Sequence, residues 1–165
     1  MHSAVQYDEG ALMIINLLRF CFKHGVSDEE KTEVLAAMRR TASVESVAFS
    51  TVGQDLGDPA DGFTHAYLTA IPDLDALERY MHDPVHLNGD EFILGRLAKQ
   101  SAVRLSDDLD PELPQAIYAI YDRKVGMYPD WGREVEALFG AAGTKPAPIG
   151  MTRRGDNGQD AGTGS

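Results

Sequence analysis

Tyr80 and His86 stand six residues apart with Pro84 between them, and no other part of the chain is better suited to chemistry. Proline lacks an N–H and disfavours helical geometry at the residue before it, so a helix carrying Tyr80 should end or bend at Asp83. Such a bend turns His86 back toward the side on which Tyr80 lies. A phenol and an imidazole on one cavity wall can donate, accept and relay protons near neutral pH. The same residues also fit a plain helix break with a surface histidine and a half-buried tyrosine. His82 and His86 share the i, i+4 spacing of metal ligands. Pro84 interrupts that spacing and no third ligand completes it, so no metal site is expected. The chain has no G-x-S-x-G elbow and no glycine-rich strand-to-helix turn, so neither a serine hydrolase nor a nucleotide-phosphate site is indicated.

The elements that would hold these residues follow from periodicity and turn chemistry. Met13 to Phe22 reads as a strand, followed by a turn at Gly25. Ser27-Asp-Glu-Glu30 is a capping box, opening a helix with Val34, Leu35 and Met38 on one face and Arg39-Arg40 near its end. Val44 to Val52 is a second strand, 54–62 a loop, and Phe63 to Ile71 a third strand. Asp73 caps a helix with Leu74, Leu77, Tyr80 and Met81 inward. A helical segment from Glu91 to Lys99, with Phe92 inward, precedes a fourth strand at 101–105.

This strand, helix, strand, strand, helix, strand order is the ferredoxin-like β-α-β-β-α-β plan of an α+β fold. Right-handed crossovers place both helices on one face of a four-stranded antiparallel sheet. The other face stays bare and too apolar for water, which predicts a homodimer packed sheet to sheet. Arg19, on the opposite strand face from Asn16, is expected to form an ion pair between subunits. We divide the chain into a domain at 11–106, a C-terminal extension at 107–140 and a disordered tail at 141–165. Residues 1–10 are expected to fray. In the extension, Gln115 to Tyr121 reads as a fifth strand. Trp131, Val135, Leu138 and Phe139 fall at helical spacing, giving a core or interface helix, or a lid over a pocket.

Composition narrows the function classes. The formal net charge is −11, from 26 acidic against 15 basic residues, which argues against nucleic acid and anionic membrane surfaces as partners. The single cysteine, Cys21, excludes an internal disulfide framework and a cysteine-based zinc site. No apolar run approaches the ~18 residues of a membrane helix. A cytoplasmic, soluble protein is expected.

From about Met13 to Leu105 the chain resembles the stress-responsive dimeric α/β-barrel (Dabb) family. The resemblance rests on Leu17 to Lys23 running into Gly25-Val26-Ser27, on Val52-Gly53 and on Gly62-Phe63-Thr64-His65. Above all it rests on Tyr80 followed by Pro84-Val85-His86. It implies a homodimeric barrel with a small-molecule pocket between each sheet and its helices. Some members are cofactor-free enzymes: a plant polyketide cyclase closing a ring by aldol condensation, and a plant hydroxynitrile lyase. By that resemblance His86 is the proton-transfer group and Tyr80 a pocket tyrosine. Asn16 stands where those enzymes carry a second histidine, and Met38 where the cyclase has a tyrosine. Asn16 can hydrogen-bond a carbonyl but cannot take a proton near neutral pH.

Three readings of function follow. The first is a cofactor-free enzyme for aldol-type cyclisation or C–C bond cleavage on a ketone-bearing or aromatic metabolite. Its expected catalytic residues are His86, Tyr80 and Asn16, with Met38, His65 and Phe92 against the substrate. His65 is also readable as a structural histidine, since strand parity decides which face it meets. The second reading is a non-catalytic small-molecule-binding or stress-related dimer, and the third a cofactor-free monooxygenase. A cavity of ~300 Å³ or more at His86 and Tyr80 favours the first, and a filled one the second.

Overall fold

The computed structural model describes residues 12–143. The fraying expected at 1–10, and the tail from Thr144 onward, lie outside the described residues. Four strands, β1 (Ile14–Phe22), β2 (Phe49–Gln54), β3 (His65–Ile71) and β4 (Leu97–Ser106), form one antiparallel sheet in the order β2-β3-β1-β4. Helices α1 (Asp28–Thr41), α2 (Leu74–His82) and α3 (Pro84–Ile93) follow β1 and β3. This is the ferredoxin-like arrangement that the sequence pattern predicts.

Local chemistry sets the helix boundaries. Ser27 and Glu30 close a reciprocal capping box at the start of α1, and the Asp73 carboxylate accepts from the Ala76 N–H at the start of α2. Asp83 ends α2 in extended geometry and at once caps α3, its carboxylate accepting from Val85 N–H. Pro84 is therefore the first residue of a new helix, a position where its missing N–H costs nothing. The sequence reading begins that helix at Glu91. It begins at Pro84, and the segment it assigns to 94–99 is a 3-10 turn at Leu94–Arg96 running into β4.

Strand register sorts the sheet residues. Asn16 lies opposite Thr69 and Arg104, Leu18 opposite Tyr67 and Ala102, and Phe20 opposite His65 and Gln100. Opposed residues share a face, so these side chains meet the helices. Between them alternate Leu17, Arg19 and Cys21, on a face that no α-helix covers and that the 55–63 loop meets only at its Arg19 end. Phe49, Val103 and Leu105 are more than half exposed there.

The extension corrects one expectation. Gln115 to Tyr121 is no strand: it lies within helix α4 (Leu113–Met127), which carries Pro114 in its first turn. Leu113, Ile117, Ile120, Tyr121 and Lys124 are buried along one stripe, at helical and not alternating spacing. Helix α5 (Pro129–Ala141) holds Trp131 and packs on β4 and on α4, while α4 packs on α2. The two helices join α1–α3 on the same side of the sheet. Arg19, expected to reach another subunit, instead pairs within its own chain, with Asp55 at 2.7 Å and Asp61 at 3.0 Å, and lies over the Phe63 ring.

Candidate active site

A cavity of about 90 Å³ lies between the sheet, α1–α3 and the α4–α5 pair. Asn16, Met38, Tyr80 and His86 all line it. His65 and Phe92 do not. His65 shares the helix-side face but sits at the end of β3, stacked on Phe20 at 5.6 Å with Thr64 on its Nδ1. Phe92 lies under the Arg96 guanidinium at 3.9 Å. Strand parity and helix phase, which place residues on a face, do not say how far along that face the cavity extends.

The break at Asp83 does for His86 what its spacing suggests. The imidazole is buried and tilted against the Tyr80 ring, with centroids 4.4 Å apart. Its Nδ1–H donates to the Tyr80 carbonyl oxygen at 2.8 Å, a group that can only accept, so the tautomer is fixed. Its Nε2 lies 3.2 Å from Asp90 Oδ2, one helical turn further along α3. Asp90 Oδ2 also accepts from Trp131 Nε1–H at 2.7 Å, and Lys124 Nζ lies 3.8 Å away. Burial alone would raise the Asp90 pKa. The His86 charge, then Lys124 and the Trp131 hydrogen bond outweigh it and hold the carboxyl below its ordinary value. Lys124, fully buried and over the Trp131 ring at 4.1 Å, is brought down by burial to about 8, with Asp90 opposing.

Tyr80 and Tyr67 join hydroxyl to hydroxyl at 2.6 Å. Burial raises both pKa values well above the ordinary phenol, so both stay neutral donors. One hydroxyl donates to the other, which leaves one O–H to offer elsewhere. The Thr69 hydroxyl, which lies close to Tyr80 and opposes the rise in its pKa, is buried without a hydrogen-bond partner among the described residues. Three further polar atoms on cavity-lining residues are buried without a hydrogen-bond partner among the described residues: Asn16 Oδ1, Thr41 Oγ1 and the Tyr121 hydroxyl. Such atoms each cost about 1–3 kcal/mol unless something in the cavity meets them.

Asp90, Tyr67, Lys124 and Tyr121 escape a reading of the sequence. A signal existed for Asp90, which is i+4 from His86 once the helix is started at Pro84. No short-range signal marks the others, because they come from β3 and α4. Among the described residues no group of three histidine, cysteine or carboxylate side chains is arranged to hold a metal ion. None of the described helices is long and apolar enough to cross a membrane.

A four-stranded ferredoxin-like sheet with its helices on one face is the fold of a class of small α/β-barrel proteins. The family model described as the stress responsive A/B barrel domain matches residues 14–104, and the chain belongs to that family. The helices α4 and α5 lie beyond the matched segment. A search of curated proteins finds no match. Among solved structures, At3g17210 from Arabidopsis thaliana is 23% identical with a TM-score of 0.51, over 56% of this chain and 92% of that one. A dimeric ferredoxin-like protein from Thermobifida fusca is 23% identical with a TM-score of 0.53, over 63% and 98%. The hydroxynitrile lyase from Passiflora edulis is 19% identical with a TM-score of 0.53, over 59% and 94%. At these identities the likeness is one of fold.

Proposed function

We propose that this protein is a cofactor-independent enzyme of C–C bond chemistry on a small carbonyl compound, working as a homodimer. The convergence of His86, backed by Asp90, with the Tyr80–Tyr67 pair on one cavity carries this reading. Nδ1 is committed to the Tyr80 carbonyl, so Nε2 is the working nitrogen. Protonated, it donates to Asp90; deprotonated, it offers a basic lone pair beside the cavity. A substrate proton can pass to Nε2 while the tyrosine pair donates to the oxygen on which charge develops. The same proton returns when the new C–C bond has formed or the old one has broken. A positioned acid–base group contributes roughly 10²–10⁴ in rate, and one oxyanion donor ~10²–10³.

The cavity's volume bears on the direction of that chemistry. At about 90 Å³ it falls below the ~300–1,000 Å³ of pockets for drug-sized ligands. It takes a small substrate or the reactive end of a larger one, which favours cleavage or addition over ring closure of a long chain. The same volume, with both His86 nitrogens already engaged, also supports a second reading as a small-molecule-binding dimer. Mutation separates them. His86→Ala should fold and lower turnover by ~10²–10⁴, and Tyr80→Phe should lower rate more than stability. Full activity in both variants, measured on the true substrate, would sink the enzymatic reading.

A further inference from the structure

Half of the eight described arginines pair with carboxylates, and Arg104 is not among them. Arg19, Arg96, Arg123 and Arg133 all face carboxylates. Arg104 has no ion pair or hydrogen bond among the described residues, in a chain of net charge −11 where carboxylates outnumber cations. It lines the cavity, and it lies directly opposite Asn16 in the β1–β4 register, on the same face of the sheet. The residue as a whole is exposed, yet desolvation of its guanidinium lowers its pKa, with only the Tyr121 hydroxyl opposing.

Two unpartnered polar atoms belong to its neighbours on that wall, Asn16 Oδ1 and the Tyr121 hydroxyl, both buried. The Tyr121 hydroxyl remains protonated, its pKa pushed up to about 12 mainly by burial. A guanidinium and a phenol O–H offer donors to one small anion, while the unpartnered Asn16 Oδ1 can only accept and suits a ligand O–H beside it. A planar carboxylate suits the guanidinium fork better than a point charge would. A neutral guest would leave the cation partly desolvated and unpaired, at a cost.

We propose that Arg104, with Tyr121, forms a seat for a carboxylate, so that the substrate of this site is a small carboxylic acid bearing a carbonyl group. The inference rests on the enzymatic reading for the carbonyl, but not for the carboxylate. One end of the ligand is held on the strand wall by charge, and its reacting end is directed toward Tyr80 and His86. It also explains how an acidic protein retains an anionic ligand: the seat supplies local positive charge against the global field.

Direct binding tests it. Acetoacetate and acetylacetone are close in size and differ in charge, as do benzoate and benzamide. Titrated into the full-length protein and followed by calorimetry or NMR, each carboxylate should bind at least ~10-fold tighter than its neutral partner, the worth of one charged hydrogen bond. Arg104→Gln should weaken carboxylate binding by ~10–100-fold and leave the neutral partners unchanged, while Arg104→Lys should fall between. Circular dichroism of both variants checks folding. Equal binding of acid and neutral partner, no measurable carboxylate binding at millimolar concentration, or an unchanged affinity in Arg104→Gln would each overturn the seat. Carboxylates that bind through Arg104 but are never turned over would retain the seat and remove the enzymatic reading. Turnover lost in His86→Ala with carboxylate affinity retained would support both.

Discussion

At His86 a histidine gains its character from a carboxylate that the sequence hides in plain view. Asp90 holds Nε2 from one turn away and is itself held by Trp131 and faced by Lys124, so four side chains share one buried charge cluster. Breaking such a cluster by removing one partner usually costs more than the cluster contributes. Lys124 gives it a pH signature. Its pKa lies at about 8 in the fold against roughly 10.4 in the unfolded chain. Below 8 the buried ammonium is a full penalty on folding. Between about 8 and 10 the unfolded chain binds more protons than the folded one, and stability should rise with pH. Above ~10 the raised tyrosine pKa values reverse the sign, because the folded state then holds the extra protons. Thermal melts from pH 7.5 to 10 should show this rise in the wild type and a flat profile in Lys124→Met. An equal rise in both would assign it to another group.

The helices show where a linear sequence misleads. Gln115 to Tyr121 is rich in isoleucine and tyrosine, residues that favour strands through packing more than through backbone preference. Its buried positions nevertheless repeat at Ile117, Ile120, Tyr121 and Lys124, and the tertiary surface of α2 and α5 settles the matter. Capping motifs, by contrast, are purely local, which is why Ser27 and Asp73 mark their helices correctly, while Asp83 is legible as the end of α2 and not as the cap of α3. His86 and Tyr80 reach the cavity because a proline break is local as well. Lys124 and Trp131 could not be foreseen, since their meeting with Asp90 depends on how α4 and α5 dock. That docking has a tight point: a Cβ on Gly132 would lie 2.8 Å from Val125 Cγ1. Gly132→Ala should therefore push α5 from α4 and destabilise the fold by ~1–3 kcal/mol, the usual range for overpacking. Chemical denaturation would measure it. No loss of stability would mean that Val125 moves aside without cost.

The molecule as a whole presents two unlike faces of one sheet. One is closed by five helices; the other leaves Phe49, Val103 and Leu105 exposed, an apolar surface of the kind that marks an interface. Dimer formation should bury it, and light scattering should give twice the 18.0 kDa chain mass at low micromolar concentration. Val103→Glu should yield a folded monomer, since a charge in that interface meets no partner. A monomeric wild type would remove the dimer from the proposed function. The separation of faces has a further consequence, which concerns the family. The cavity's outer wall comes from α4 and α5, beyond the family segment at 14–104. A change in that appended hairpin would therefore alter the cavity's lining without touching the open face of the sheet. Chains that share only the 14–104 segment with this one need not share that wall.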